Sequence, residues 1–381
     1  MNHFFVIFSN FYMIQSFLLY VTYAILALAV IIITFLNLAP QFGSNPTKQQ
    51  IKTYETFKNF KDGGFESLEE TPMMTGEVST WDFFTNQENR RPDEDIEPKH
   101  LDYSNFSDVS HHGYKISWLG HSAFIINIAG NIILLDPMLG THAAPIPLPS
   151  LKRYNKTLPV ELDSLTNIDI VMISHDHYDH LDHSTIKKIK DSVKLFLVPH
   201  GVGNHLRRWN VSEKKIIELN WNENFIINEV EIICLPSRHF SGRGPLNRNS
   251  TLWSSWAIKS PVVSIYFSGD SGYGKHLKQI GDEHGPFDIS LIDCGQYNSA
   301  WKHSHMFPNE AVLAAKDLKT EFFMPIHWGG FTLAMHPWDE PVKESIRLAD
   351  EIGLNHFTPE IGEIISEESI NRTFNKWWEK Y

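Results

Sequence analysis

Ser174-His175-Asp176-His177-Tyr178-Asp179-His180 follows directly on the apolar run Ile170-Val171-Met172-Ile173. A run of this kind, expected as a strand over residues 169–174, belongs inside a sheet covered on both faces. At its end stands an HxHxDH pattern. With 20 His and 20 Asp among 381 residues, chance places such a four-residue pattern somewhere in the chain with a probability of roughly 0.003, so accident does not explain it. In an extended segment His175 and His177, two apart, project to one side and can share an ion, while Asp179 and His180 lie past the turn and address a neighbouring position. Four ligand-type residues pointing in two directions call for two metals.

Each ion needs further ligands, and the same strand-to-loop position recurs three times downstream. His239 follows Cys234-Leu235-Pro236-Ser237-Arg238, Asp270 ends Ile265-Tyr266-Phe267-Ser268-Gly269, and His327 follows Phe323-Met324-Pro325-Ile326. His175, His177 and His239 then complete one site and Asp179, His180 and His327 the other, with Asp270 bridging between the ions. Imidazole and carboxylate without thiolate suit zinc first, two Zn2+ per chain, and iron or manganese accept the same ligand set. Among the remaining histidines, His111, His112, His200, His205, His276, His284, His336 and His356 read as surface or capping residues. His183 reads as the beginning of the helix after the motif. His121, after Gly120, and the pair His303 and His305 flank expected strand ends and stay candidates, His305 as an active-site group.

Outward from the motif, short β-rich runs alternate with helical ones. Residues 115–119, 123–129 and 132–135 read as antiparallel strands with a hairpin turn at Gly130-Asn131. Further strands are expected over 195–198, 231–235, 262–267, 289–293 and 322–325, and helices over 185–190, 274–283, 309–318 with Pro308 near its start, and 342–351. An antiparallel opening followed by doubly covered strands suits two sheets sandwiched between helices better than one doubly wound sheet.

Residues 1–47 contain no Asp, Glu, Lys or Arg, and 17–39 is an almost unbroken apolar run, long enough to span a bilayer as a helix. A cleaved signal peptide ordinarily starts with basic residues and has a shorter apolar run, so 1–47 is read as a transmembrane anchor, with Tyr12, Tyr20 and Tyr23 towards one interface. Lys48, Lys52 and Lys58 follow the span and no basic residue precedes it, which favours a cytoplasmic catalytic part. Residues 48–110 carry 7 basic and 14 acidic residues and read as an acidic connecting arm. Its Phe57, Phe60, Phe65, Trp81, Phe83 and Phe84 are expected to pack back on a domain of residues 111–381, because a purely flexible linker would lack them. With 42% apolar residues and a net charge of −12, the chain is not disordered and lacks the basic footprint of a nucleic-acid binder. Cys234 and Cys294 allow one bridge or two free thiols.

Asp136-Pro137 after a strand, His175 to His180, His239, Asp270 and His327 resemble the metallo-β-lactamase fold in order and spacing. More narrowly, Trp118-Leu119-Gly120-His121-Ser122, Leu135-Asp136-Pro137, His327-Trp328-Gly329-Gly330-Phe331 and Asp339-Glu340-Pro341 are similar to the N-acylphosphatidylethanolamine phospholipase D branch, over about residues 63–363. The resemblance implies an α/β, four-layer αββα sandwich with a dinuclear zinc site held by the seven residues named, and Asp136 supporting the ligands from behind. It places His305, in His305-Met306-Phe307-Pro308, near a substrate phosphate. Gln296-Tyr297-Asn298 and the N-terminal anchor depart from the animal pattern. The implied reaction is phospholipase D-type hydrolysis of an N-acylphosphatidylethanolamine-like lipid by hydroxide formed from water shared between two zincs. On the same metals, a lactonase or other ester hydrolase of the ascorbate-phosphate lactonase type, or a non-catalytic metal-binding scaffold, are the competing readings.

Overall fold

The computed structural model describes the chain apart from residues 1, 80, 82–84, 86, 87 and 109–112, with residues 2–11 as helix backbone alone. Phe83, Phe84, His111 and His112 therefore lie outside the described residues. Sixteen strands are distributed over a small hairpin, β1 (Phe60–Lys61) with β2 (Gly64–Phe65), and two larger sheets among the described residues. The first comprises β3 (Tyr114–Gly120), β4 (Ala123–Ile128), β5 (Asn131–Leu135), β6 (Ile168–Met172), β7 (Val193–Pro199), β8 (Ile216–Leu219) and, from near the end of the chain, β16 (Ile364–Ser366), in the order β16-β3-β4-β5-β6-β7-β8. The second comprises β9 (Asn224–Ile227), β10 (Val230–Leu235), β11 (Ser255–Lys259), β12 (Ser264–Phe267), β13 (Phe287–Asp293), β14 (Thr320–Ile326) and β15 (Asn355–His356), paired in sequence order. Each sheet has three antiparallel pairings followed by three parallel ones.

The two-residue period of a strand sorts side chains into layers. On β5, Ile133 and Leu135 join an inter-sheet core with Ile170 and Met172 of β6, Ile232 and Cys234 of β10, and Ile289 and Leu291 of β13. Their alternates Ile132, Leu134 and Val171 face Ile186 and Ile189 of the helix His183–Ile189 on the outside of the first sheet. On the outside of the second sheet, Ile292 and Phe323 meet Leu277, Ala311, Ala314 and Ala349 from the helices Lys275–Glu283, Pro308–Asp317 and Glu340–Ile352. This is the four-layer αββα sandwich. Burying each large aliphatic side chain contributes about 1.5–3 kcal/mol, and both faces of the central strands are used in this way.

The hairpin turn falls one residue earlier than expected. Ala129 and Gly130 both have positive φ, 50° and 83°, as a two-residue type I′ turn demands, and Asn131 is the first residue of β5, paired with Ile128. The expected connecting arm is part of the second of two compact units, Gly43–Tyr381, which begins well before residue 111. Tyr54, Phe60 and Phe65 are buried in the inter-sheet core, Phe57 packs against it, and Trp81 is exposed. Cys234 and Cys294 are free and buried.

The first unit, Met1–Phe42, contains the helix Asn2–Leu38. Its stretch Tyr12–Leu38, 27 residues long, is long and apolar enough to cross a membrane. Two of its polar side chains bond back to the helix, Thr22 Oγ1 donating to the Leu18 carbonyl and Asn37 Nδ2 to that of Ile33.

Candidate metal centre

The parallel and antiparallel pairings place the C-terminal ends of β3, β5, β6, β10, β12, β13 and β14 along one edge of the sandwich. That edge collects the loops carrying His121, Asp136, His175 to His180, His239, Asp270, Asp293 and His327. Asp182 ends the first of these loops by capping the helix His183–Ile189, its side chain accepting from the Ser184 and Thr185 amides. His183 opens that helix. Register does the rest: Asp293 pairs with Ile326, which sets His327 beside the turn after β13. A Cβ on Gly295 would stand 2.0 Å from the His327 carbonyl oxygen, so only glycine admits that approach.

Three ring nitrogens converge on one point. His175 Nε2 lies 2.8 Å from His177 Nδ1, which lies 3.2 Å from His239 Nε2. A second group forms from Asp179, His180 and His327, with His180 Nε2 3.4 Å and His327 Nε2 3.7 Å from Asp179 Oδ2. Asp270 stands between the groups. Its Oδ2 is 3.6 Å from both His175 Nε2 and His239 Nε2. Its Oδ1 is 2.9 Å from His327 Nδ1 and 3.1 Å from His180 Nε2. All seven residues named from the sequence are brought together, in the two sets expected.

The side chains behind them fix which nitrogen faces the centre. His180 Nδ1–H donates to Asp136 Oδ2 at 2.7 Å, and Ser174 donates both its amide and hydroxyl to the same carboxylate. The Ser174 hydroxyl in turn accepts from His175 Nδ1–H at 2.9 Å. His239 Nδ1–H donates to the Ser304 carbonyl at 2.9 Å. In all three, Nε2 is left bare towards the cluster, the arrangement metal-binding imidazoles adopt.

The charge balance of the cluster asks for a cation. Burial, reinforced by neighbouring imidazoles, pushes His175 and His239 well below the ordinary imidazole range, and burial lowers His177 as well. Their lone pairs are free. Burial alone would lower His180, but Asp270, Asp179 and Asp136 hold it well above its usual value. A positive charge is thus favoured where the second group converges. His180 Nε2 and Asp270 Oδ1, 3.1 Å apart, are also buried without the alignment of a hydrogen bond, a costly condition that coordination removes. Imidazole and carboxylate oxygen are the donor set of zinc, iron and manganese, and the residues fit a pair of divalent ions.

His305 lies beside the cluster, its ring 5.0 Å from those of His239 and His327. Its Nδ1 is 2.9 Å from Asp293 Oδ2. Burial lowers its pKa, but Asp293 outweighs this and holds it above the usual imidazole value. His303 is not brought into the cluster. Two further residues reach it, Asp293, passed over in the sequence, and His121, a candidate there. Asp293 ends β13 and holds His305, and His121 donates towards Asp179 from the β3–β4 turn. His205 and His276, read as surface or capping residues, are buried. His205 Nδ1 accepts from the Ser44 amide while Nε2 donates to Asp176 Oδ2 at 3.1 Å, a pair separated by 29 positions that no local pattern announces.

A cavity of about 270 Å³ opens over the cluster. His177, Asp179, His239, Asp270, His305 and His327 form its floor, and Met73, Met74, Phe240, Trp301 and Leu333 its apolar walls. Met73 and Met74 come from the N-terminal arm. That segment is tied down by Arg238, which donates to the Glu70 carbonyl and Thr71 Oγ1, and by Thr75, whose amide donates to the Ala300 carbonyl.

Residues 131–328 match the family model described as a Beta-lactamase superfamily domain. The chain is 38% identical over 333 residues to an uncharacterised protein of Mycobacterium tuberculosis, covering 85% of this chain and 88% of that one. It is 32% identical over 302 residues to the N-acyl-phosphatidylethanolamine-hydrolyzing phospholipase D 1 of Caenorhabditis elegans, covering 74% of this chain and 84% of the relative. Among solved structures, an isothiocyanate hydrolase from Delia radicum gut bacteria superposes with a TM-score of 0.53 at 20% identity, over 66% of this chain and 98% of that one.

Proposed function

The chain belongs to the metallo-β-lactamase superfamily and is a metal-dependent hydrolase, and on that premise we propose that it is a phospholipase D-type phosphodiesterase acting on N-acylphosphatidylethanolamine-like lipids with two Zn2+ bound. The observation that carries the proposal is the cavity itself, in which a paired-ligand floor meets walls of Met, Phe, Trp and Leu. Similarity to the nematode phospholipase D supports the choice of bond. His175, His177 and His239 would hold one ion, Asp179, His180 and His327 the other, and Asp270 would serve both. Metal ions so placed supply a lowered pKa for water and neutralise the oxygens of a phosphoryl group.

The chain's own residues do the remaining work. Among the described residues no Lys or Arg lines the cavity, so His305 is its ionisable side chain, outside the proposed ligands, that can meet phosphate charge beyond the ions. Asp293 favours the protonated form of its imidazole and fixes Nδ1, leaving the other ring nitrogen to donate to a phosphate oxygen or to protonate the leaving ethanolamide oxygen. The walls exclude water from the reacting centre and take up hydrocarbon. Asp136 and Ser304 hold the imidazoles of the floor in one orientation. In this reading the helix Tyr12–Leu38 anchors the enzyme in the bilayer that contains its substrate, with the catalytic unit on the cytoplasmic side that Lys48, Lys52 and Lys58 favour.

The test is product analysis with the full chain in vesicles containing N-acylphosphatidylethanolamine, beside lactone substrates and a His177→Ala control. Phosphatidic acid and N-acylethanolamine in equal amounts, absent from the control, are the expected result. Turnover of lactones with no lipid cleavage would overturn the substrate assignment.

A further inference from the structure

His121 is fully buried, yet no step above uses it. Its Nε2 lies 2.9 Å from Asp179 Oδ2, and its Nδ1 is buried without a hydrogen-bond partner. The carboxylate can only accept, so Nε2 carries the hydrogen.

The backbone is committed to this placement. His121 has φ of +57°, an uncommon conformation for a non-glycine residue that persists where the surroundings impose it. Its carbonyl accepts from Trp118 Nε1 at 2.8 Å and from the His327 amide at 3.2 Å. Gly330 makes room, since a Cβ there would stand 2.7 Å from that of His121. The ring is wedged against His327, 4.2 Å away, and Phe331, 5.3 Å away edge to face.

Asp179 is held from two sides. Two ligands on one tetrahedral zinc, each about 2.0–2.1 Å from it, stand about 3.4 Å apart. Asp179 Oδ2 keeps 3.4 Å from His180 Nε2 and 3.7 Å from His327 Nε2, close to that spacing. The 2.9 Å contact to His121 is a hydrogen bond. Resting on the paired-ion reading above, we infer that His121 is a positioning residue for the second metal: its Nε2–H holds Asp179 Oδ2 at the point where His180 and His327 converge, leaving that oxygen a lone pair for the ion.

The experiment compares the full-length wild type with His121→Leu, which fills the space without a donor, and His121→Gln, which restores an N–H at similar reach. Zinc affinity is read by chelator competition, and melting temperature is read metal-free and zinc-loaded. In the Leu variant the first equivalent binds as in wild type, the second about 10–100-fold more weakly, as for loss of comparable supporting partners. The zinc-induced rise in melting temperature shrinks accordingly, and Gln recovers most of both. If both equivalents bind the Leu variant with wild-type affinity, or if its metal-free and loaded forms are destabilised equally so that the rise is unchanged, His121 only fills space and the inference is overturned. Should the Leu variant fail to fold, second-site affinity in the Gln variant more than tenfold below wild type overturns it. A wild type that takes no second equivalent overturns the paired-ion reading and this inference with it.

Discussion

Asp270 is the residue on which both metal groups depend, because one carboxylate oxygen faces each. Its neighbours divide more simply. Removing the His177 imidazole takes one of three nitrogens from the first group only. His177→Ala should lower kcat/KM by about 1,000-fold, ~4 kcal/mol of transition-state stabilisation, with the melting temperature of the metal-free protein nearly unchanged. Assays on lipid vesicles and calorimetry read the two. Asp293 raises the pKa of His305, so activity that needs protonated His305 persists up to that raised value and falls as pH climbs through it. Asp293→Asn removes the charge and should move this alkaline limb to lower pH by about one unit. A pH–rate profile whose limb stays in place would assign the limb to another group. The seven proposed ligands were legible because each follows an apolar strand and sits at a strand-to-loop junction. Asp293 was not, since a lone carboxylate at a strand end has no partner in sequence, and its partner His305 lies 12 positions on.

At the level of elements, the central strands could be read from their β-branched runs, and each expected strand lies within or across an observed one. The strands β1, β2, β8, β9, β11, β15 and β16 were missed for physical reasons, β1 and β2 because each is two residues long. β8, β9, β15 and β16 are short and lie at or next to sheet edges, where one face is wet and polar residues intervene. β11 begins at Ser255 within a Ser- and Trp-rich stretch whose hydroxyl finds the Pro236 carbonyl, so composition masks it. Gly269, just before Asp270, has φ of +55°, and a Cβ would stand 2.6 Å from that of Ser174. Gly269→Ala should cost about 2–4 kcal/mol and displace Asp270, seen as a lower denaturation midpoint together with reduced zinc content. The arm carrying Met73 and Met74 supplies an apolar wall while being held through backbone and hydroxyl contacts elsewhere. Replacing both by Ser should raise KM for long-chain lipid about fivefold and leave kcat within twofold, which kinetics on acyl chains of graded length will show.

For the molecule as a whole, the N-terminal helix and the hydrolase lie in separate compact units with separate physics. The helix Tyr12–Leu38 is uniformly apolar, 27 residues of it, and should keep the full chain with vesicles on flotation through alkaline carbonate. Release of the protein by that treatment would mean the helix does not span. The hydrolase unit is built from two sheets of the same pairing pattern, and the residues of the site come from both: Asp136 and His175 to His180 from the first, His239, Asp270, Asp293 and His327 from the second. No segment of sequence contains the site, although its strongest motif does name the edge where the site forms. The proposed pairing of two ions between the sheets would join fold to chemistry, and metal content tests it most directly. Full-length protein stripped with chelator, reloaded with Zn2+ and freed of excess should carry two zinc atoms per chain, falling below one in Asp270→Ala. A wild-type chain that saturates at one zinc atom or none would contradict the paired centre.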